Sequence, residues 1–138
     1  MVNVIDMRDL RYLNLFGNIT KIDTKFCFRY NEVLIFCIPK QLIRRAVGEN
    51  GRNVKKLSEI LRKKIKIIPI PQNPEHIRPF IESVVSPVKF KDLEVKDNEV
   101  ILTAGSNSKA ALIGRNKRRF FEMQEIIKDF FKKDFKII

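Results

Sequence analysis

The sequence predicts an α/β protein of the α+β kind, built from two copies of one small unit. Two glycine turns, at 48–51 and 114–117, lie 66 residues apart in a chain of 138 and share their flanking apolar positions. In both halves the hydrophobic period changes between helix-like and strand-like in the same order. Three prolines in the segment 69–74 form a stiff joint. We therefore expect two domains, 1–70 and 71–138.

The first unit is predicted to begin with a helix and a hairpin. Asp6 is a suitable N-cap, apolar residues follow at helical spacing, and Gly17 is a natural stop. Residues 25–30 alternate between apolar and polar side chains, and 33–38 form a continuous apolar run. The Asn-Glu break at 31–32 predicts that these two strands pair as a hairpin.

The rest of the first unit surrounds the glycine turn. Pro39 ends the second strand, and a short helix at 40–47 leads into the loop 48–51. A second helix is predicted from Asn53 to about Leu61, with an apolar face formed by Val54, Leu57, Ile60 and Leu61. Residues 65–68 read as a closing strand, which completes the order helix, strand, strand, helix, loop, helix, strand.

The second unit is predicted to repeat this order. Asn73 and Pro74 are favourable at a helix start, and apolar residues fit a helix up to Pro87. Strands are expected at 88–95 and 99–103. The remaining elements are a helix at 109–113, the turn at Gly114, a long helix at 118–131 and a strand at 135–138. The closing strands align at an offset of 70, so we expect four extra residues after the last helix of the second copy.

Positive charge is concentrated around the two turns. The chain has a net charge of +12, of which residues 39–68 contribute +8 and residues 106–138 contribute +5. The remainder sums to −1. Such segregation indicates a surface that binds a polyanion, and the alternative is a solvated helix face.

The motif Ala46-Val47-Gly48-Glu49-Asn50-Gly51-Arg52-Asn53-Val54, set between helices in a small α/β unit, resembles the KH domain. The element order is similar to the type II topology, in which each unit has a three-stranded mixed sheet with helices on one face. Two such units behind the opening 7–16 resemble the archaeal NusA-like transcription termination/antitermination factors. The resemblance covers nearly the whole chain and implies single-stranded RNA binding, with RNA polymerase as a partner.

The chemistry of the turn agrees with this resemblance. A phosphate that approaches backbone N–H groups leaves no room for a Cβ, and a helix N-terminus favours an anion. Candidate RNA-binding residues of the first unit are Gly48, Glu49, Asn50, Gly51, Arg52, Lys55, Lys56, Arg44, Arg45, Val47 and Val54. Those of the second unit are Gly114, Arg115, Asn116, Lys117, Arg118 and Arg119. Glu49 places a negative charge in the first turn, which weakens its attraction for a phosphate. In the second turn, Lys117 replaces the second glycine. For the apolar candidates Val47 and Val54, the alternative role is packing in the core.

Catalytic chemistry is not expected. The single histidine, His76, has no cysteine or histidine nearby, the acids are scattered, and no phosphate-binding P-loop motif occurs. Cys27 and Cys37 are too few for a zinc site, and they face each other in a hairpin either as a disulfide or as two small hydrophobic residues. We expect no enzyme activity, no cofactor and no metal.

The chain contains no apolar run of membrane-spanning length and no signal peptide, so we expect a cytoplasmic protein that does not contact membranes. We also expect a monomer. Three alternatives stay open: a ribosome-associated KH protein, a KH-scaffold protein–protein adaptor, and a protein that binds single-stranded DNA.

Overall fold

The computed structural model describes residues 7–138, with side chains from Asp9 onward, so the predicted N-cap Asp6 lies outside the described residues. The chain divides between Ile70 and Pro71 into two compact units. Within the described residues, each unit contains one three-stranded sheet and three α-helices. None of these helices is long and apolar enough to cross a membrane.

The first unit follows the predicted order of elements. These are α1 Met7–Thr20, β1 Phe26–Tyr30, β2 Val33–Ile38, α2 Ile43–Val47, α3 Arg52–Leu61 and β3 Lys64–Pro69. Strand β2 lies in the centre, antiparallel to β1 and parallel to β3, so the sheet is mixed as predicted. The turn between β1 and β2 consists of Asn31 and Glu32, both with positive φ, which is the conformation that tight hairpins require.

Helix α1 does not end at Gly17, as the sequence predicted, but continues to Thr20. The Thr20 hydroxyl donates to the Phe16 carbonyl at 2.8 Å, and Lys21 follows in a left-handed conformation with φ 63°. A Cβ at Gly17 would lie 2.8 Å from Oδ1 of Asp23. This glycine lies inside the helix, close to the Asp23 side chain, and does not terminate the helix.

The helices of the first unit pack on one face of its sheet. The rings of Phe16 in α1 and Phe36 in β2 are stacked with centroids 4.4 Å apart. The buried residues of this core are Tyr12, Phe16, Ile22, Leu34, Phe36, Ile38, Ala46 and Leu57. Ile60 was predicted on the apolar face of α3, but it is 50% exposed, because the buried face of this helix centres on Leu57.

The second unit repeats the architecture. Its elements are α4 Ile77–Val85, β4 Asp92–Val95, β5 Glu99–Thr103, α5 Lys109–Ile113, α6 Arg118–Phe131 and β6 Asp134–Ile137. Strand β5 is antiparallel to β4 and parallel to β6. The Asn73 side chain accepts a hydrogen bond from the Glu75 amide at 3.0 Å, which confirms the predicted cap. The four extra residues do not follow the last helix, as predicted, but lengthen it, because α6 has 14 residues and α3 has 10.

Two boundaries differ from the prediction. The strand expected from Val88 begins only at Asp92. Phe90, which precedes it, lies beneath the Arg78 guanidinium, 5.4 Å from the ring centroid. Pro69, expected in the joint, instead ends β3 opposite Ile38. Strand β3 is an edge strand, where a proline without an N–H group is tolerated.

The register of the first hairpin separates the two cysteines. Cys27 lies opposite Phe36, and Cys37 lies opposite Phe26. Since adjacent residues of a strand point to opposite faces, the two thiols lie on different faces of the sheet. Both are free, and burial raises the pKa of Cys27 to about 12. The prediction that they face each other is wrong, whereas their role as small hydrophobic residues fits their burial.

Candidate nucleic-acid interface

The two glycine turns share one backbone conformation. Gly48 has φ 82° and ψ 166°, and Gly114 has φ 77° and ψ 172°, a region that is essentially restricted to glycine. Asn50 and Asn116, two residues further on, both have a φ of 55°. Asparagine tolerates this left-handed region better than most residues. The chain therefore builds the same loop twice.

The first glycine of each loop also has a packing reason. A Cβ at Gly48 would lie 3.1 Å from the backbone nitrogen of Asn53, and one at Gly114 would lie 2.8 Å from Cγ of Arg119. These glycines are required by the fold of the helix–turn–helix itself, whatever binds there. The close phosphate approach inferred from the sequence stays a prediction.

The fourth loop position is different, because it is left-handed and open. Gly51 has φ 71° and ψ 22°, and a Cβ there would meet nothing within 4 Å. Lys117 occupies the equivalent position with φ 60° and ψ 22°. The lysine therefore leaves the loop backbone intact and carries its side chain into the space that Gly51 leaves empty.

One anchoring position in each unit was missed by the sequence reasoning. Nδ2 of Asn53 donates to the Ala46 carbonyl at 3.0 Å, and Nη1 of Arg119 donates to the Ala111 carbonyl at 2.7 Å. Both anchors lie 66 residues apart and tie the helix after the loop to the one before it. A polar side chain at the same register in both copies was the available signal. Arg119, predicted as an RNA contact, uses at least one N–H group for this bond.

The turns present free backbone donors at a helix N-terminus. The first hydrogen bond inside the first turn runs from Gly51 N to Gly48 O at 3.1 Å. The amides of Glu49 and Asn50 precede it and so have no acceptor within the turn, as at any helix start. The equivalent bond in the second turn, from Lys117 N, measures 3.2 Å. This arrangement and the helix dipole favour an anion.

The structure brings the predicted cations of the first unit to the surface around its turn. Five are exposed, two on α2 and three on α3: Arg44, Arg45, Arg52, Lys55 and Lys56. Within residues 9–138, no acidic side chain forms an ion pair with them. Glu49 is the exposed carboxylate of the turn itself. The site thus has a strong excess of positive charge.

The second turn combines charges of both signs. Arg115, Lys117 and Arg118 are exposed, and Asn116 lies between the first two. A shallow depression of about 500 Å³ next to this turn includes Glu122 and Glu125 in its lining. The local excess of positive charge is therefore smaller than at the first turn.

The apolar candidates lie at the edge of the core. Val47 and Val54 are half-buried, so part of each side chain stays accessible beside the first turn. In the second unit Phe120 is half-buried, and its ring packs 5.9 Å from that of Phe135. Lys66, a further basic residue of the charged segment, is half-buried in β3, where burial lowers its pKa.

The comparisons with known proteins agree with this description at a coarse level. No family model matches the chain. The chain is 26% identical, over 92 residues, to the Probable transcription termination protein NusA of Methanococcus vannielii. This match covers 67% of the chain and 51% of the relative, so the matched region spans about half the length of that protein.

A solved structure shares the fold. The crystal structure of APE1850 matches with a TM-score of 0.66 and 24% identity, over 97% of this chain and 99% of that one. This likeness shows the fold alone. The protein is thus an α+β chain with two mixed three-stranded sheets, as expected of two tandem KH-like units, and it is weakly similar to a NusA protein.

Proposed function

We propose that this protein binds single-stranded RNA and acts as a NusA-like factor in transcription elongation or termination. The observation that supports this most strongly is the first turn, where exposed cations surround free backbone donors at the start of α3. The name of the Methanococcus vannielii relative supports the link to transcription. RNA polymerase as a partner, a monomeric state and a cytoplasmic location belong to the same proposal, as does a role in binding without catalysis.

The geometry of the first turn supports RNA binding there. One phosphate accepts hydrogen bonds from the Glu49 and Asn50 amides, while Gly51 leaves space for the backbone to approach. Arg44 and Arg45 on α2 are exposed and add two positive charges that attract phosphates. The unstacked bases then lie over the accessible parts of half-buried valines, which supply apolar contact without sequence specificity.

The second turn extends the interaction in a weaker form. Its backbone offers the same donors, and Arg115 and Lys117 add two full charges at the turn. The Cβ of Lys117 occupies the space that is open at Gly51, so a phosphate stays further from the backbone there. Binding at this turn is therefore expected to depend more on the side-chain charges and less on the backbone donors.

Three asparagines in the left-handed conformation provide a matched test. Asn50 and Asn116 lie in the turns, and Asn31 lies in the first hairpin, with φ between 52° and 55°. Aspartate also tolerates this conformation and adds one negative charge. Asn31 lies near the start of β3, at the far end of α3 from the first turn, about 15 Å away by helix length.

The experiment measures the affinity of each variant for a fluorescent single-stranded oligoribonucleotide. Asn50→Asp should weaken binding about tenfold, Asn116→Asp less, and Asn31→Asp least. Equal effects of Asn50→Asp and Asn31→Asp would overturn binding at the first turn. No RNA binding by the wild type would favour the protein–protein adaptor. Tighter binding of DNA with the same sequence would favour a DNA-binding protein, and recovery of ribosomal RNA from cells would favour a ribosome-associated one.

A further inference from the structure

The depression next to the second turn contains an exposed aromatic side chain. Its lining consists of Arg115, Asn116, Arg118, Phe121, Glu122 and Glu125. Phe121, in the first turn of α6, is 54% exposed. A phenylalanine in that position forgoes the free energy that burial of an aromatic side chain provides.

The fold does not require an aromatic residue at this position. The first unit has the same turn and the same following helix, and Lys55 stands 66 residues before Phe121. The core contact of the helix is made by the preceding residue, because Phe120 packs against Phe135. Phe120 also supports the neighbouring ring, with centroids 5.5 Å apart. The Phe121 ring is thus held in place with much of its surface open to solvent.

We propose that Phe121 is a stacking platform for one unpaired nucleobase of the RNA, and that Glu125 accepts a hydrogen bond from the amino group of that base. This inference rests on the proposed RNA-binding function and assigns a specificity to the second unit. Glu125 is exposed and lies four residues after Phe121, so the two side chains share one face of α6. Arg115 lines the same depression, where it can hold the adjacent phosphate.

The chemistry predicts which bases are preferred. Aromatic rings stack on any base, so Phe121 supplies affinity without selectivity. A carboxylate only accepts hydrogen bonds, and cytosine, adenine and guanine carry an exocyclic amino donor. Uracil carries carbonyl oxygens in place of that amino group, and these would face the negative charge of Glu125. The second unit should therefore prefer an amino-bearing base to uracil.

The test compares oligocytidylate, oligoadenylate and oligouridylate of equal length with the wild type and three variants. Phe121→Leu keeps the apolar volume but removes the aromatic face, and it should weaken binding of every oligonucleotide about tenfold, as expected for one lost stack. Glu125→Gln should leave oligouridylate binding equal or tighter and reduce the preference for the amino-bearing bases. Val95→Ala is the control. Val95 is 40% exposed at the end of β4, beside the hairpin turn that hydrogen-bonds to the start of β6, and therefore lies at the other end of α6 from the second turn.

A second readout separates stacking from general stability. Base protons that lie over a phenyl ring shift upfield in NMR spectra, and this shift should disappear in Phe121→Leu. RNA binding that is unchanged in Phe121→Leu, with a normal loss in Asn50→Asp, would overturn the platform and leave the proposed function standing. If the wild type bound oligouridylate as tightly as oligocytidylate and oligoadenylate, the role of Glu125 would be overturned. Absence of RNA binding in the wild type would overturn both proposals.

Discussion

The first loop, 48–51, and the second loop, 114–117, differ in surface although their backbones agree. At the first, third and fourth positions the φ and ψ angles match to within 11°. The first loop carries one acid and ends in glycine, whereas the second carries an arginine and a lysine. The loop shape is therefore determined by the leading glycine and the helix anchor, whereas the second glycine can vary.

The helices after the loops extend this difference. Helix α3 continues with Arg52, Lys55 and Lys56, which makes its exposed start strongly basic. Helix α6 places Phe121 at the position of Lys55 and adds carboxylates to the same surface. One scaffold thus offers a basic clamp in the first unit and a mixed aromatic and charged surface in the second.

The largest expected effect separates the two glycines of the first loop. Gly48→Ala should lower the free energy of unfolding by about 3 kcal/mol, because the conformation is restricted to glycine and the Cβ meets Asn53. Gly51→Ala should cost only about 1 kcal/mol, since it adds left-handed strain without a clash. Urea unfolding measures both. Equal losses would contradict the distinct roles of these positions.

The anchors should have the next largest effect. Asn53→Ala and Arg119→Met each remove the side-chain hydrogen bond to the helix before the loop, which should cost about 1 kcal/mol. Arg52→Met is the control, because Arg52 is exposed and makes no such bond. Thermal unfolding of the three variants measures the difference. A control as unstable as Arg119→Met would argue against an anchoring role.

The salt dependence of RNA binding shows how many phosphate contacts each loop makes. If Arg115 and Lys117 each contact a phosphate, Arg115→Ala with Lys117→Ala should reduce the slope of log affinity against log salt by about 1.4. Arg44→Ala with Arg45→Ala tests two charges of the first unit in the same way. An unchanged slope in the Arg115 and Lys117 variant would give the second loop a structural role.

An exchange of the fourth loop residues should have the smallest effect on stability. Lys117→Gly relieves left-handed strain but increases the freedom of the unfolded chain, so the free energy of unfolding should change by less than about 1 kcal/mol. Gly51→Lys adds this strain, but it should still be tolerated because the space around Gly51 is open. Circular dichroism during urea unfolding checks both. If either variant failed to fold, the two loops would not be equivalent.

Much of the fold could be predicted because its signals are local. The hairpin turn at Asn31 and Glu32, the cap at Asn73 and helix α6 were all visible as short patterns, and all three are confirmed. Gly17 could not be interpreted this way, because its role depends on the position of Asp23 in the folded chain.

The candidate site was predictable to a similar extent. Repetition and charge identified both turns, and the predicted cations around them are exposed except for Arg119, which is half-buried. The anchoring bonds of Asn53 and Arg119 depend on where the preceding helix lies, which no spacing shows. Phe121 could not be distinguished from Phe120 by pattern, because only the packing of α6 decides which ring is exposed.

Amide chemical shifts during titration with a single-stranded oligoribonucleotide test whether both turns contact the RNA backbone. We predict the largest shifts at the Glu49 and Asn50 amides, with smaller shifts at Arg115 and Asn116. Unchanged amides at both turns, with the largest shifts elsewhere on the described surface, would contradict this contact.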